Sequence, residues 1–178
     1  MAAITLEIEE SAPAEYPEIP NLPAEIAAAT VWSRLESWIG WRWGSRAVVF
    51  IVEGPGSWLP PLKPFTATTI EAWQGEQWVE VEGQAAALGY TLVSEGPFRI
   101  TGDCGAEEDP PAIVLEAAYR LGQYLVTTSS RKFENVVIAK EASEEIDSFE
   151  YGSPNVAARA LQYSGAADLL RPYRRKGR

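Results

Sequence analysis

The sequence predicts an α+β protein, a small helical bundle with an inserted antiparallel β unit. Apolar residues repeat at helical spacing over residues 110–128 and predict a long central helix, with N- and C-terminal helices completing the bundle. Residues 45–102 predict the β unit, because short runs rich in β-branched residues alternate with turn-forming residues. A chain of 178 residues, 46% of them hydrophobic, can bury the core of one domain.

The N-terminal forty residues divide into a polar segment and a helix. Residues 1–20 are rich in Glu, Ala and Pro, and an arm-like strand and a flexible leader fit them equally well. They lack a basic region followed by a long apolar run, so no signal peptide is expected. Residues 21–40 predict a helix, since Pro23 suits its first turn and Gly40 can end it. One apolar stripe follows helical spacing: Ala28, Trp32, Leu35 and Ile39.

The β unit is predicted to contain several short strands. Residues 45–52 form an apolar run, and the turn-forming residues GPGS (54–57) follow it. Residues 66–73 and 77–82 flank QGE and predict a hairpin. Residues 90–93 and 97–101 predict two further short strands around SEG. The unit is therefore expected to be mostly antiparallel.

The central helix is predicted over residues 110–128. Asp109 can cap it, and Pro110 and Pro111 fit its first turn. Its apolar stripe consists of Val114, Ala117, Ala118, Leu121 and Leu125.

After the central helix, the sequence predicts a polar excursion and then a C-terminal helix with a basic tail. Residues 129–152 are polar and predict a loop or excursion with weak β tendency. In residues 153–165, Ser153 can cap a short helix that Gly165 ends. Residues 166–173 predict a last turn before the basic tail.

The composition argues against most kinds of enzyme. The chain has no His and a single Cys, Cys104, which removes Ser–His–Asp and Cys–His catalysis and the usual zinc ligand sets. Residues 53–58 (EGPGSW) contain glycines but lack the lysine of a phosphate-binding loop. No enzymatic activity, metal or cofactor is expected. One Cys, together with no apolar run long enough for a membrane span, predicts a cytoplasmic protein without a membrane partner.

Four carboxylates lie close together before the central helix: Asp103, Glu107, Glu108 and Asp109. Such a cluster could bind calcium, or two of its members could act as the acid and base of a hydrolase. The spacing is not that of an EF-hand loop. Because negative charge is favourable at a helix N-terminus, helix capping is the preferred interpretation and a carboxylate hydrolase is a third-ranked alternative.

The chain contains seven tryptophans: Trp32, Trp38, Trp41, Trp43, Trp58, Trp73 and Trp78. Exposed tryptophans can stack on sugars or on unpaired bases, but few Lys and Arg lie between them, which argues against a nucleic-acid groove. Packing in the core or in a subunit interface is expected. A tryptophan-rich carbohydrate-binding β module remains the alternative from another functional class.

Charge is distributed very unevenly along the chain. Residues 171–178 carry five cations, whereas the rest has ten Lys and Arg against 25 Asp and Glu, a net charge of −15. The tail could be a nucleic-acid arm, a solvated disordered end or a segment that binds a protein partner. A protein partner is preferred, because so acidic a body repels nucleic acid and because the apolar turn of residues 166–170 leads directly into the tail. Arg pairs with carboxylates through two hydrogen bonds, and Tyr173 offers a rigid aromatic contact.

Four stretches resemble the head–tail connector (adaptor) proteins of long-tailed bacteriophages and gene transfer agents. They lie within a span of about two thirds of the chain: residues 59–81, 95–101, 110–126 and 156–175. The first two resemble the proline-punctuated strand and hairpin, and the following strand, of the larger adaptors. The third is similar to the family's central helix, and the fourth to its ending of short helix, small-residue break, Leu-Leu and Tyr-Arg-Arg.

The resemblance implies a structural protein of the virion or gene-transfer-agent neck, assembled in the bacterial cytoplasm. Adaptors form a ring of about twelve subunits under the portal protein, extend the DNA channel without binding DNA specifically, and contact a stopper or tail-side neck protein. Another neck protein, a stopper or tail-completion protein, is the neighbouring alternative. The portal-docking residues would lie at the C-terminus: Leu169, Leu170, Arg171, Pro172, Tyr173, Arg174, Arg175, Lys176 and Arg178.

Overall fold

The structure, a computed structural model, describes residues 2–141 and 159–174, with side chains described for residues 2–129 and 159–174. The chain divides into two compact units. The sheet unit comprises Met1–Tyr16 and Gly40–Asp109, and the helical unit comprises Pro17–Ile39 and Pro110–Arg178.

The sheet unit contains a six-stranded sheet. Its strands are β1 (Ile4–Glu10), β2 (Arg46–Trp58), β3 (Phe65–Gln74), β4 (Gln77–Glu80), β5 (Gln84–Ala86) and β6 (Gly89–Cys104). The strand order is β1-β2-β6-β3-β4, and β5 pairs with β6. All these strand pairs are antiparallel. The hairpin predicted around QGE is formed by β3 and β4.

The helical unit is built around one long helix. Its described helices are α1 (Ala28–Ile39), α2 (Ala112–Glu141), α3 (Ala160–Tyr163), α4 (Ala166–Leu169) and a 3-10 turn (Arg171–Tyr173). Among the described residues, no helix is both long and apolar enough to cross a membrane.

The predicted fold class, a helical bundle with an inserted β unit, is wrong. The antiparallel sheet has its own core and includes the N-terminal strand β1. It is therefore one of the two compact units of the chain and not an insertion into a helical bundle. The helix α2 exists, but α1 has 12 residues and the C-terminal helices α3 and α4 have four each. Helices of one turn cannot supply the long apolar stripes of a bundle, because such a stripe needs several turns.

The pairing of β2 with β6 organises the sheet unit. The two strands pair from Arg46 and Cys104 to Trp58 and Tyr90, with one irregularity between Gly54 and Gly56. Alternate residues of the first half of β2 are buried, as a strand with one face on a core requires. The ring of Phe50 lies 5.2 Å from that of Trp58, so the far end of β2 packs onto its beginning. The sheet therefore folds over its own core.

The sequence analysis placed a turn at GPGS, but β2 continues through it to Trp58. A Cβ atom on Gly54 would lie 3.1 Å from the Phe98 ring and 3.4 Å from Leu92 Cβ, so glycine permits a close approach between β2 and β6. The two short strands predicted around SEG are likewise one strand, β6. Glycine and proline here mark a bend in paired strands rather than their ends.

The helical unit confirms the apolar stripe of α2 and corrects the limits of two helices. Val114, Ala117, Ala118 and Leu121 are fully buried, whereas Leu125, the last member of the predicted stripe, is half-buried. Helix α1 begins at Ala28, several residues after its predicted start. Helix α2 continues to Glu141 through residues predicted as a loop, whereas residues 142–158, including the predicted cap Ser153, lie outside the described part of the chain.

Of the two alternatives for residues 1–20, an arm-like strand and a flexible leader, the structure shows the strand, β1. Its last residue, Glu10, accepts hydrogen bonds from Arg42 Nε and Nη2 at 2.6 and 2.9 Å, and from Arg46 Nη1 at 3.0 Å. Both arginines are buried. Burial works to raise the pKa of Glu10, but hydrogen bonds and charge from Arg42, joined by Arg46, outweigh it and lower the pKa below its ordinary 4.5.

We expect Glu10→Gln to destabilise the sheet unit by about 1–3 kcal/mol, because it removes a charged acceptor from two buried arginines. The folded-state pKa of Glu10 is lowered, so its contribution is present above the unfolded-state pKa near 4.5 and is lost as pH falls through the folded-state value. Urea unfolding followed by circular dichroism should therefore show a deficit at neutral pH that shrinks below pH 4.5. An equal deficit at both pH values would contradict this account.

Candidate assembly interfaces

The described C-terminal segment folds onto the helical unit. Gly165 adopts a left-handed conformation, with φ of 74°, between α3 and α4. The amide of Leu170 donates to the carbonyl of Ala166 at 3.0 Å, and both side chains are fully buried. Leu169 is only half-buried. Leu170, predicted to be a docking residue, is thus an internal anchor for the residues that follow it.

The described members of the predicted docking set lie at the surface after this anchor. Pro172 is exposed and Tyr173 is half-buried. Arg171 Nη2 pairs with Asp168 Oδ1 at 2.9 Å, but the Arg171 side chain is 81% exposed, so the pair contributes little to stability. The remaining predicted cations, Arg175, Lys176 and Arg178, lie outside the described residues.

Arg174 makes a specific contact with helix α1. Its guanidinium carbon lies 4.3 Å from the centroid of the Trp38 ring, within the range of a cation–π interaction. Within the described part of the chain, Trp38 Nε1 is buried without a hydrogen-bond partner. The ring therefore acts as an apolar platform for Arg174, and the described tail has a defined position up to this residue.

Six of the seven tryptophans are buried or half-buried within the two units. Trp32, Trp43 and Trp58 are fully buried, and Trp32 Nε1 donates to the Pro17 carbonyl at 2.9 Å. Trp73 differs, because it is 45% exposed on the β3–β4 hairpin. The seven tryptophans therefore do not form one sugar-binding platform.

The exposed tryptophan belongs to a cluster that we name the hairpin patch: Glu71, Trp73, Trp78 and Arg99. The two indole rings lie 5.1 Å apart, and the Arg99 guanidinium lies 5.0 Å from the Trp78 ring. Arg99 Nε and Nη2 donate to both carboxylate oxygens of Glu71 at 2.6 and 2.8 Å. This hydrogen bonding lowers the pKa of Glu71 and raises that of Arg99. Aromatic and arginine side chains of this kind are enriched at protein interfaces.

A small apolar cavity lies beside the same hairpin. Its volume is about 190 Å³, and its lining includes Ile70, Val81, Leu92 and Phe98. A cavity of this size is smaller than the usual site for a drug-sized ligand, but it is large enough for an apolar side chain.

The four carboxylates of the predicted acidic cluster are all exposed. Asp103 is the next-to-last residue of β6, and the other three carboxylates follow that strand. Among the described residues, no group of three or more His, Cys, Asp or Glu side chains could hold a metal ion.

The sequence analysis missed the surface of β1. Ile4, Leu6 and Ile8 are 66%, 59% and 43% exposed, although they are apolar and belong to an edge strand. The alternation of residues 4–8 indicated a strand, but it gave no sign that these side chains remain outside the core of their own unit.

The comparisons with known proteins find a likeness of fold. The chain matches no protein-family profile, and no curated protein matches it by sequence. A solved chain described as "Neck of empty GTA particle computed with C6 symmetry" aligns over 97% of this chain and 97% of its own length, at 13% identity and a TM-score of 0.53. A chain described as "Neck of native GTA particle computed with C12 symmetry" aligns over 89% and 94%, at 13% identity and a TM-score of 0.47, too low to support an argument. At this identity, the first match shows a shared fold alone.

We expect Leu170→Ala to destabilise the helical unit by about 2–5 kcal/mol, because it opens a cavity at a fully buried site. Its neighbour Leu169 is half-buried, so Leu169→Ala is the matched control and should cost clearly less. Urea unfolding monitored by the helical signal at 222 nm measures both. Equal losses for the two variants would show that Leu170 is not the internal anchor.

Proposed function

We propose that this chain is a structural subunit of the neck of a phage or gene-transfer-agent particle, and specifically the adaptor that forms a ring under the portal protein. The observation that carries the proposal is the fold shared with a GTA neck chain over 97% of both chains. The order of the four stretches that resemble adaptors supports the same role. The function is mechanical, so it requires no catalytic group or cofactor.

The charge distribution suits a ring through which DNA passes. With the last eight residues set aside, the chain has a net charge of −15. A channel of this sign attracts few phosphates, so DNA can move during packaging and ejection without being held by the protein. The DNA is a passing partner and is not bound specifically.

The basic tail is the proposed docking arm for the portal. Leu170 fixes its start inside the helical unit, and Arg174 packs on Trp38. Arg171 and Pro172 are exposed beside them and can meet acidic or carbonyl-rich surface on the portal. The likeness to a neck computed with sixfold symmetry is compatible with a ring of about twelve subunits, since twelve is a multiple of six.

The proposal predicts that the full chain adds a ring to the portal protein encoded by the same genome, as seen by negative-stain electron microscopy. A chain ending at Arg174 keeps the contact with Trp38 but loses three cations, and it should attach poorly. Arg171→Glu should weaken attachment for the same electrostatic reason. Arg120→Glu is the matched control, because it reverses one exposed cation on α2 and should attach normally.

The outcomes distinguish the docking function of the tail from the adaptor role of the whole chain. Normal attachment of the shortened chain would overturn the docking arm but leave the adaptor role standing. If no variant attached to the portal, the adaptor assignment would be wrong. Binding to the tail-side neck components instead would identify a stopper or tail-completion protein.

A further inference from the structure

The strand order of the sheet unit leaves an open edge at each end. β1 lies at one end of the order and β4 at the other, and among the described strands neither has a partner on its outer side. An open edge presents backbone N–H and C=O groups that another strand can bond. The partner that fits either edge is therefore a β-strand.

The apolar side chains of β1 occur on both faces of this edge. Ile4 pairs with Glu53, whereas Ile8 pairs with the core residue Phe50, so the two lie on opposite faces. Leu6 lies at the register shift between Thr5 and Glu7. An edge strand with exposed apolar side chains on both faces is suited to burial against another chain.

The β4 edge offers a complementary feature on each face. The hairpin patch lies on the face of the sheet that carries Arg99. Arg99 pairs with Ile51 and Ile4 pairs with Glu53, and Ile51 and Glu53 lie on one face of β2, so Ile4 shares the face of the hairpin patch. On the core face, which is the face of Ile8, lies the apolar cavity beside Ile70 and Val81. Aliphatic side chains of β1 can therefore meet aromatic rings on one face and the cavity on the other.

Charge favours β4 over a second β1 as the partner. Glu7 and Glu9 of β1 are exposed and pair with Ile51 and Val49, which places them on the face of Arg99. Pairing β1 with β1 would bring the two glutamates of each copy together, whereas β4 carries one exposed carboxylate on this face, Glu80. Like-charge repulsion is therefore weaker against β4 than against a second β1.

We infer that neighbouring copies of this chain join edge to edge, with β1 of one copy against β4 of the next. The two edges are different and lie at opposite ends of the strand order, so the contact is head-to-tail and repeats until a ring closes. This inference rests on the proposed ring and adds the surface that builds it.

Cysteine cross-linking of two separately labelled full chains tests the pairing. Leu6→Cys is mixed with Glu80→Cys in the presence of a short bismaleimide, and the native Cys104 does not compete because it is only 1% exposed. The mixture should give the mixed dimer in excess over either homodimer. The double variant should give a ladder of products, as a head-to-tail contact requires. Leu6→Cys mixed with Ile113→Cys, on α2, is the control and should give little product.

Three results would overturn the inference. A closed ring in native mass spectrometry without the Leu6–Glu80 product would exclude edge pairing and leave the neck role intact. A predominant Leu6–Leu6 product would show pairing of β1 with itself. A chain that gave neither rings nor the mixed product would contradict the ring and the edge pairing together.

A substitution without added thiols gives an independent measurement. Leu6→Glu places a charge in the proposed contact and should weaken self-association by about tenfold or more, as for a central interface residue. Ile113→Glu is the control, since Ile113 is an exposed apolar residue of α2, and it should leave the association constant unchanged. Sedimentation measures both, and circular dichroism checks that each variant is folded. Equal association of Leu6→Glu and the unaltered chain would also overturn the inference.

Discussion

The pairing of β2 with β6 is the constraint on which the sheet unit depends. The two strands remain paired from Arg46 and Cys104 to Trp58 and Tyr90, and their bend near Gly54 returns the second half of each over the first. Trp58 can then pack on Phe50, and Tyr90 can accept a hydrogen bond from the Ala67 amide at 2.9 Å. Because the middle of the sheet is fixed in this way, β1 and β4 lie at the two ends of the main strand order.

The two units contribute different surfaces to the proposed assembly. The sheet unit presents the exposed apolar side chains of β1 and the hairpin patch, which suit contacts between equal copies. The helical unit presents a basic segment whose base is fixed by Leu170 and by Arg174 on Trp38, which suits a contact with a different protein. In the proposed assembly, the sheet unit therefore builds the ring and the helical unit docks it.

The sequence predicted elements whose signal is local. The stripe from Val114 to Leu121 fixed the buried face of α2, and the QGE turn indicated the β3–β4 hairpin. Elements that depend on distant partners were missed. Gly54 and Pro55 look like a turn, but β6 supplies hydrogen-bond partners on both sides of them, so β2 continues. Residues 129–141 lack an apolar pattern, yet α2 extends through them. Of the candidate docking residues, Leu169 and Leu170 were indistinguishable by sequence, because their burial depends on the packing of α4.

The proposed role requires that this chain form a ring in the neck of a particle. The decisive measurement is a cryo-electron microscopy map of the neck of the particle encoded with this chain, reconstructed without imposed symmetry. We expect a closed ring between portal and tail, into whose density both the six-stranded sheet and the long helix α2 fit in every subunit. A complete neck map that contains no such ring would contradict the account.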